Sequence, residues 1–158
     1  MARQTQAWRP SLDRIDDFEI ATRLTRLDEH VWSGLLREDW GLWGPAGGFV
    51  TAFALRAAGE ATEQARPVSM SCHFVRVGQF QPVTLTVQSI RKGRRSELLR
   101  VEMAQEDRLL FSAQVWAMPD DLPGIEHDVS HLKSLPDPET LPTWEDLFPD
   151  DPPFDFVS

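Results

Sequence analysis

Two adjacent glycines at the start of an apolar helix are the residues of this sequence best suited to chemistry. Gly47 and Gly48 precede a run of apolar residues with helical character, from Phe49 to Ala58. Glycine has no side chain to block a ligand, and the free N–H groups of a first helical turn carry partial positive charge. We expect the N–H groups of Gly48 and Phe49 to be able to bind a carbonyl oxygen or an anion. A tight loop that leads into a core helix would use the same glycines.

A carboxylate near this turn could act as a general base. Asp39 is the acid that lies nearest before the glycine pair, and no Asp or Glu occurs between Gly47 and Gly59. Asp39 is therefore the candidate base, and a solvated loop carboxylate is the alternative interpretation. Trp40 and Trp43 follow Asp39 and either line a pocket or cover the start of the helix.

Polar residues further along the chain also have two interpretations each. Gln114 in the last predicted strand could orient a water molecule, or it could be a polar residue on the outer face. Ser71 and His73 suggest a nucleophile and its base, or an ordinary hydrogen-bonded surface pair. His127 and His131 have a metal-like spacing. They lie in a proline-rich segment without a helical pattern, so we expect no metal site.

A cationic turn is the candidate segment for binding phosphate groups. Arg91, Lys92, Arg94 and Arg95 surround Gly93 between two predicted strands. Guanidinium groups bind phosphate with two parallel hydrogen bonds, which favours such a role for the three arginines. A turn that is merely solvated would have the same composition.

Hydrophobic periodicity predicts the elements that position these residues. The apolar helix covers residues 47–61, and after it the period of the pattern changes from about 3.6 to 2 residues. Four strands with alternating apolar residues follow, at residues 68–74, 83–88, 99–103 and 109–116. Short turns make sequential strands antiparallel, and one apolar face per strand indicates that the sheet covers a core.

Two further strands are predicted before the helix, at residues 18–27 and 31–38. A helix that is apolar on every side has to be enclosed by other structure. We therefore predict an α+β fold in which a curved antiparallel sheet wraps around one central helix. In this fold Phe49, Phe53 and Leu55 should be largely buried.

This order of elements resembles a known family. The segments GGFVTAFALRAA, PVSMSCHFVRVG and LLFSAQVWAMP, in that order and spacing, resemble the hotdog fold of the thioesterase-like superfamily. The chain is most similar to the first half of the double-hotdog acyl-CoA thioesterases of the thioesterase II type. The resemblance covers residues 16–119. Members of that family carry two hotdog repeats, and this chain ends where the second repeat would begin.

The resemblance implies a function and a mechanism. It implies hydrolysis of acyl-CoA or acyl carrier thioesters, with the thioester carbonyl at the helix start and a carboxylate that activates water. Arg91, Arg94 and Arg95 would then bind the phosphates of coenzyme A, and no cofactor beyond the substrate's own coenzyme A is expected. In the family, the Asp, Gln and Ser or Thr that do this work belong to the second repeat. A catalytically silent half that binds acyl thioesters, or that pairs with an active hotdog, is therefore the alternative; hydratase or dehydratase chemistry lacks an Asp and His pair.

The domain organisation follows from composition. Residues 119–158 contain eight of the twelve prolines, eleven acids and one base, a net charge of −10, whereas the first 118 residues contain fifteen bases and fourteen acids, a net charge of +1. We predict an N-terminal extension at residues 1–15, one hotdog domain at 16–118 and an acidic, proline-rich tail or linker at 119–158. The aromatic residues of that tail suggest docking on the folded body or on a partner.

Charge, cysteine content and hydropathy narrow the partners and the compartment. The nearly neutral body gives no electrostatic footprint for nucleic acid. Cys72 is the single cysteine, which excludes an intrachain disulfide and favours a reducing, cytoplasmic location. No stretch is long and apolar enough to span a bilayer, and the first residues lack the apolar core of a signal peptide. We expect a homodimer or a pairing with another hotdog domain.

Overall fold

The computed structural model describes residues 15–41, 43–125, 127, 129 and 134–147. The chain divides into two compact units, Met1–Asp121 and Leu122–Ser158. Among its described residues, the first unit contains two helices, a 3-10 turn and six strands. In chain order they are α1 (Ile15–Ala21), β1 (Thr25–Asp28), β2 (Val31–Leu35), the 3-10 turn Glu38–Trp40, α2 (Gly47–Ala61), β3 (Arg66–Phe74), β4 (Pro82–Lys92), β5 (Glu97–Gln105) and β6 (Arg108–Met118).

The six strands form one antiparallel sheet in the order β1-β2-β4-β5-β6-β3. Alternate residues of β4, β5 and β6 are buried on the face that α2 covers. The predicted α+β architecture, a curved antiparallel sheet around one helix, is confirmed. The predicted bounds of the central helix also agree with the structure. Because β3 crosses over to pair with β6, the edges of the sheet are β1 and β3.

Phe53 anchors α2 on the sheet. The ring is fully buried and lies against Gly34 of β2, where a Cβ atom would collide with the ring. A glycine is needed at position 34 for this close approach. Phe49 is also buried and meets the Phe53 ring edge-on, with 5.0 Å between the ring centroids. The predicted burial of both phenylalanines is confirmed.

The helix is covered on one side and not all round. Its buried residues are Phe49, Val50, Phe53, Ala54, Ala57 and Ala58. Leu55 is partly buried and packs against the core, in agreement with the prediction, whereas Gly48 and Gly59 are exposed. The sheet covers one face of the helix, and the opposite face is exposed at Gly48 and Gly59 and partly covered between them. The enclosure that the apolar composition predicts is therefore incomplete in the described part of the chain.

The predicted strand at residues 18–27 is wrong in its first half. Residues 15–21 form α1, whose last turn is closed by hydrogen bonds from the backbone N–H and the hydroxyl of Thr22 to the carbonyl of Phe18, at 3.0 and 2.8 Å. The adjacent residues Ala21 and Thr22 are both buried. Two neighbours in a strand point to opposite faces, so the burial of both residues fits a helical turn better than the strand that the alternating apolar pattern predicts.

A buried carboxylate ties the end of α2 to the sheet. Glu97 of β5 is 2% exposed, and its two oxygens accept hydrogen bonds from the hydroxyls of Thr62 and Ser89, both at 2.6 Å. Thr62 is the residue that follows α2, and its hydroxyl also accepts a bond from the N–H of Gln64. Glu97 thereby fixes where the helix ends and where the chain turns into β3.

The second unit has little regular structure among its described residues. It contains a 3-10 turn at Pro138–Thr140 and a four-residue helix, α3 (Trp144–Leu147). The backbone N–H and hydroxyl of Thr143 both donate to Asp146, and these bonds lower the pKa of that exposed carboxyl. The described helices contain no segment long and apolar enough to cross a membrane. The extension at residues 1–14 and the tail aromatics Phe148, Phe154 and Phe156 lie outside the described residues.

We predict that Phe53→Asp prevents folding, because it places an unpaired carboxylate where the ring meets Gly34. The cost is several kcal/mol, comparable with the total stability of a small domain, about 5–15 kcal/mol. Gly59→Asp is the matched control, because it adds the same group on the exposed side of the same helix. Thermal unfolding followed by circular dichroism measures both variants. A cooperative transition of Phe53→Asp at the wild-type temperature would show that the helix packing is wrong.

Candidate functional site

The start of α2 offers unneutralised backbone donors. The capping residue, Ala46, provides no side-chain acceptor, and the first turn contains no acid. The partial positive charge of this helix end is therefore not offset by the helix itself. A Cβ atom placed on Gly48 would meet no atom within 4 Å, so the space over this residue is open. The predicted donors, the N–H groups of Gly48 and Phe49, lie in this turn.

A closed loop holds the first turn in position. The N–H of Ala46 donates to the carbonyl of Trp40 at 3.0 Å, which brings the 3-10 turn back to the helix start. The Trp40 ring stacks on Phe49 with 5.5 Å between centroids and an angle of 12° between the planes. Phe18 of α1 meets Trp40 edge-on at 5.1 Å. Of the two interpretations of Trp40, this packing therefore supports the one in which the side chain covers the start of the helix.

Three exposed apolar side chains surround the loop, and we call them the apolar rim: Trp43, Phe74 and Val77. They are 81%, 57% and 60% exposed. A Cβ on Gly47 would lie 3.3 Å from the Phe74 ring, and one on Gly44 would lie 2.7 Å from a Val77 methyl group, so the loop packs closely on both residues. An apolar rim beside backbone donors suits a ligand with a polar carbonyl and an apolar chain.

Asp39 lies in the 3-10 turn Glu38–Trp40. The hydrogen bond from Ala46 to Trp40 joins this turn to the start of the helix. Both oxygens of Asp39 accept hydrogen bonds from the Arg37 guanidinium, at 3.0 and 2.7 Å, and its side chain is 26% exposed. This bidentate pair fixes the carboxylate beside the loop. The sequence analysis missed Arg37, although a basic residue two positions before an acid in a turn is a readable signal for such a pair.

The other predicted site residues are not at the helix start. Gln114 is exposed on the face of the sheet opposite α2, where it is aligned with Ser71 of β3 and Arg100 of β5. It cannot orient water beside the first turn of its own helix. His73 is exposed on this same outer face, next to Ser112. Because alternate residues of a strand point to opposite faces, the buried neighbours Ala113 and Val115 show that Gln114 points outward.

The cationic turn lies at the other end of α2. Lys92 forms an ion pair of 3.3 Å with Glu63, two residues after the helix ends. The helix of fifteen residues is about 22 Å long, so Arg91, Arg94 and Arg95 are far from Gly48 of the same chain. The single chain therefore does not bring the predicted phosphate ligands and the predicted carbonyl donors together.

No cluster of three metal-ligating side chains occurs among the described residues. Cys72 is half-buried and packs against the core, as a small apolar residue would. His127 is exposed, whereas His131 lies outside the described residues.

Several solved structures have a fold similar to that of this chain. A tesB protein of Mycobacterium avium subspecies paratuberculosis is 25% identical, with a TM-score of 0.69 over 79% of this chain and 49% of that chain. An acyl-CoA thioesterase II of Mycobacterium marinum is 24% identical, with a TM-score of 0.65 over 79% and 47%. A variant of the phenylacetic acid degradation protein PaaI of Thermus thermophilus is 25% identical, with a TM-score of 0.59 over 66% and 99%.

The family follows from a match that covers more than half of the chain. Residues 36–118 match the family described as acyl-CoA thioesterase N-terminal domain. The chain belongs to this family, and the resemblance to thioesterase II proteins is confirmed. It spans about half the length of the tesB and thioesterase II proteins and nearly the whole length of PaaI.

We predict that Gly48→Ala and Gly34→Ala have opposite effects on stability. Alanine at position 48 meets open space and removes the backbone cost of glycine in a helix, so stability should rise by up to about 1 kcal/mol. Alanine at position 34 collides with the Phe53 ring and should lower the stability by about 1–3 kcal/mol. Urea unfolding of the two variants measures both changes. Equal destabilisation would contradict the open space over Gly48.

Proposed function

We propose that this chain is a hotdog of an acyl-CoA thioesterase and binds the thioester carbonyl at the start of α2. The observation that carries this proposal is the uncapped first turn, open over Gly48, in a member of the acyl-CoA thioesterase family. The carbonyl oxygen gains negative charge in the transition state. Each backbone donor aimed at that charge contributes about 3 kcal/mol in other enzymes. The two donors are the N–H groups of Gly48 and Phe49.

Asp39 is the proposed general base. It accepts a proton from a water molecule, whose oxygen attacks the carbonyl carbon. The carbon–sulfur bond then breaks to give the free carboxylic acid, and the leaving sulfur takes the proton from Asp39, so that coenzyme A leaves as the thiol. The pair with Arg37 supports this role because it holds the carboxylate in one orientation beside the loop. A carboxylate oxygen accepts more than one hydrogen bond, so the pair leaves acceptor sites for water.

We predict that Asp39→Asn lowers the rate of thiol release from acyl-CoA by at least about a hundredfold, the loss typical for a general base. Arg37→Gln is the matched control, because it breaks the same ion pair and keeps the carboxylate group itself. The assay follows free thiol over a panel of acyl-CoA chain lengths. If both variants lose the same activity, the pair has a structural role; if Asp39→Asn keeps full activity, Asp39 is not the base.

A second candidate function is binding of acyl thioesters without hydrolysis. The observation that favours it is the absence of any acid on α2 before Glu60. In that case an active hotdog would supply the base. Binding of acyl-CoA by the wild-type chain without thiol release would support this second function.

The proposed partner is a second hotdog that pairs along β3. Of the two sheet edges, β3 has nine residues and β1 has four. On β3, Val68 and Phe74 are 49% and 57% exposed, and Val75 and Val77 follow with large exposed fractions. A long edge strand with exposed apolar residues is a template for pairing with another chain. The uncovered side of α2 and the apolar rim would become buried in the same contact.

Such pairing gives the cationic turn a role. When two β3 strands pair in antiparallel orientation, the beginning of one strand lies beside the end of the other. The partner's cationic turn then lies at the same end of the joined sheet as the helix start of this chain. We therefore retain Arg91, Arg94 and Arg95 as proposed ligands for the phosphates of coenzyme A, acting across the pair. We propose that the coenzyme A of the substrate is the only coenzyme A bound.

The single cysteine supports a cytoplasmic location.

We predict that Val68→Lys weakens the pairing, because it places a charge on the β3 edge. Leu27→Lys is the matched control on the β1 edge, where Leu27 is 60% exposed. Native mass spectrometry at tens of micromolar should show the wild-type chain and Leu27→Lys as dimers, and Val68→Lys mainly as a monomer. A monomeric wild-type chain, or dissociation by the β1 variant alone, would contradict the proposed interface.

A further inference from the structure

A cleft of about 330 Å³ lies at the far end of α2 from the candidate site. Its apolar lining includes four residues that are almost fully buried, namely Ala58, Leu99, Val115 and Ala117. Leu55 and Gly59 of the helix also line it, and Thr62, Glu63 and Gln64 supply its polar part. Its volume is within the range of small-molecule pockets, at the lower limit.

Two polar side chains of the cleft already have partners. The hydroxyl of Thr62 donates to Glu97, and Glu63 forms an exposed ion pair with Lys92. The buried surface below is formed by hydrocarbon groups. An uncharged apolar chain is therefore the class of ligand that this cleft fits, because a polar group would lose its hydration there without gaining a partner.

The exposed side of α2 connects the candidate site with this cleft. At 3.6 residues per turn, Gly48, Leu55 and Gly59 fall on one face of the helix, within about 40° of each other. Neither glycine meets any atom within 4 Å of its Cβ position, so no side chain blocks this face at its two ends. The half-buried Met70 and Cys72 of β3 lie on the inner side of the neighbouring strand.

We propose that the acyl chain of the thioester lies along this face of α2 and that the end of a long chain occupies the cleft. The proposal rests on the proposed function, which places the carbonyl at Gly48. Leu55 and Gly59 then determine which chain lengths are accommodated. The cleft is the end of the substrate site, with Glu97 holding its wall in position through Thr62.

Distances along the helix set the expected lengths. At 1.5 Å per residue, Leu55 is about 10 Å and Gly59 about 16 Å from Gly48. An extended chain advances about 1.2 Å per bond, as the dimensions of an extended polypeptide show. A four-carbon acyl group spans about 4 Å and ends before Leu55, whereas a sixteen-carbon group spans about 18 Å and reaches the cleft.

The test uses stable ketone analogues in which a methylene group separates the sulfur from the carbonyl. S-(2-oxopentyl)-CoA represents the four-carbon substrate and S-(2-oxoheptadecyl)-CoA the sixteen-carbon one. Calorimetry measures their affinity for the full-length wild-type chain, for Gly59→Trp and for Glu60→Trp. Glu60 is exposed one residue further along the helix and does not line the cleft, so it is the matched control. Thermal unfolding checks that all three proteins are folded.

We expect Gly59→Trp to weaken binding of the long analogue at least tenfold, to leave the short analogue unchanged, and Glu60→Trp to change neither. A repeat with Leu55→Trp should give the same selective loss. Equal affinity of wild type and Gly59→Trp for the long analogue would overturn the cleft proposal alone, and so would an equal loss for both analogues. If neither analogue binds the wild-type chain, the proposed function fails together with the cleft proposal.

Discussion

The contact between Phe53 and Gly34 is the constraint on which the rest of the structure depends. It sets the distance between α2 and the sheet, because a side chain at position 34 would push the ring away. Phe49 packs on Phe53, and Trp40 stacks on Phe49. The position of the helix start therefore depends on one glycine of β2, through the packing of three aromatic rings. A shift in this packing would move the backbone donors and the turn that carries Asp39 together.

One-sided burial of α2 explains why a site can exist in so small a domain. The sheet covers the face with the large side chains, whereas the face with Gly48, Leu55 and Gly59 stays open or half-open in the described residues. An apolar helix usually hides all its sides. Here the uncovered side, the apolar rim and the β3 edge lie next to each other, so a second hotdog and a substrate chain would both contact this surface.

Much of the fold could be predicted because its signals are local. The change of period after Ala61 is visible in the sequence, and so are the turns between the four strands that follow. The failure at α1 has a physical cause: Phe18, Ile20 and Leu24 alternate like a strand, but the burial of Ala21 and Thr22 depends on tertiary packing. The exposure of Gly48 and Gly59 is a similar case, since the sequence does not tell which side of an apolar helix remains uncovered.

The site was less predictable because it depends on topology. The donors at Gly48 and Phe49 follow from the sequence of one turn. That the arginine-rich turn lies at the opposite end of the helix follows only from the crossover that pairs β3 with β6, and the outward direction of Gln114 follows from the register of β6. Arg37 and Asp39 could have been paired from their spacing, but their approach to the helix start depends on the bond between Ala46 and Trp40.

The central claim is that a thioester carbonyl is bound by the first turn of α2. Amide nitrogen and proton chemical shifts of the full-length chain, titrated with S-(2-oxopentyl)-CoA, test it directly, because a new hydrogen bond shifts the donor's own resonance. The account predicts the largest shifts at the amides of Gly48 and Phe49, with smaller ones at Trp43 and Phe74. Saturable binding that leaves Gly48 and Phe49 unchanged and shifts residues elsewhere would contradict it.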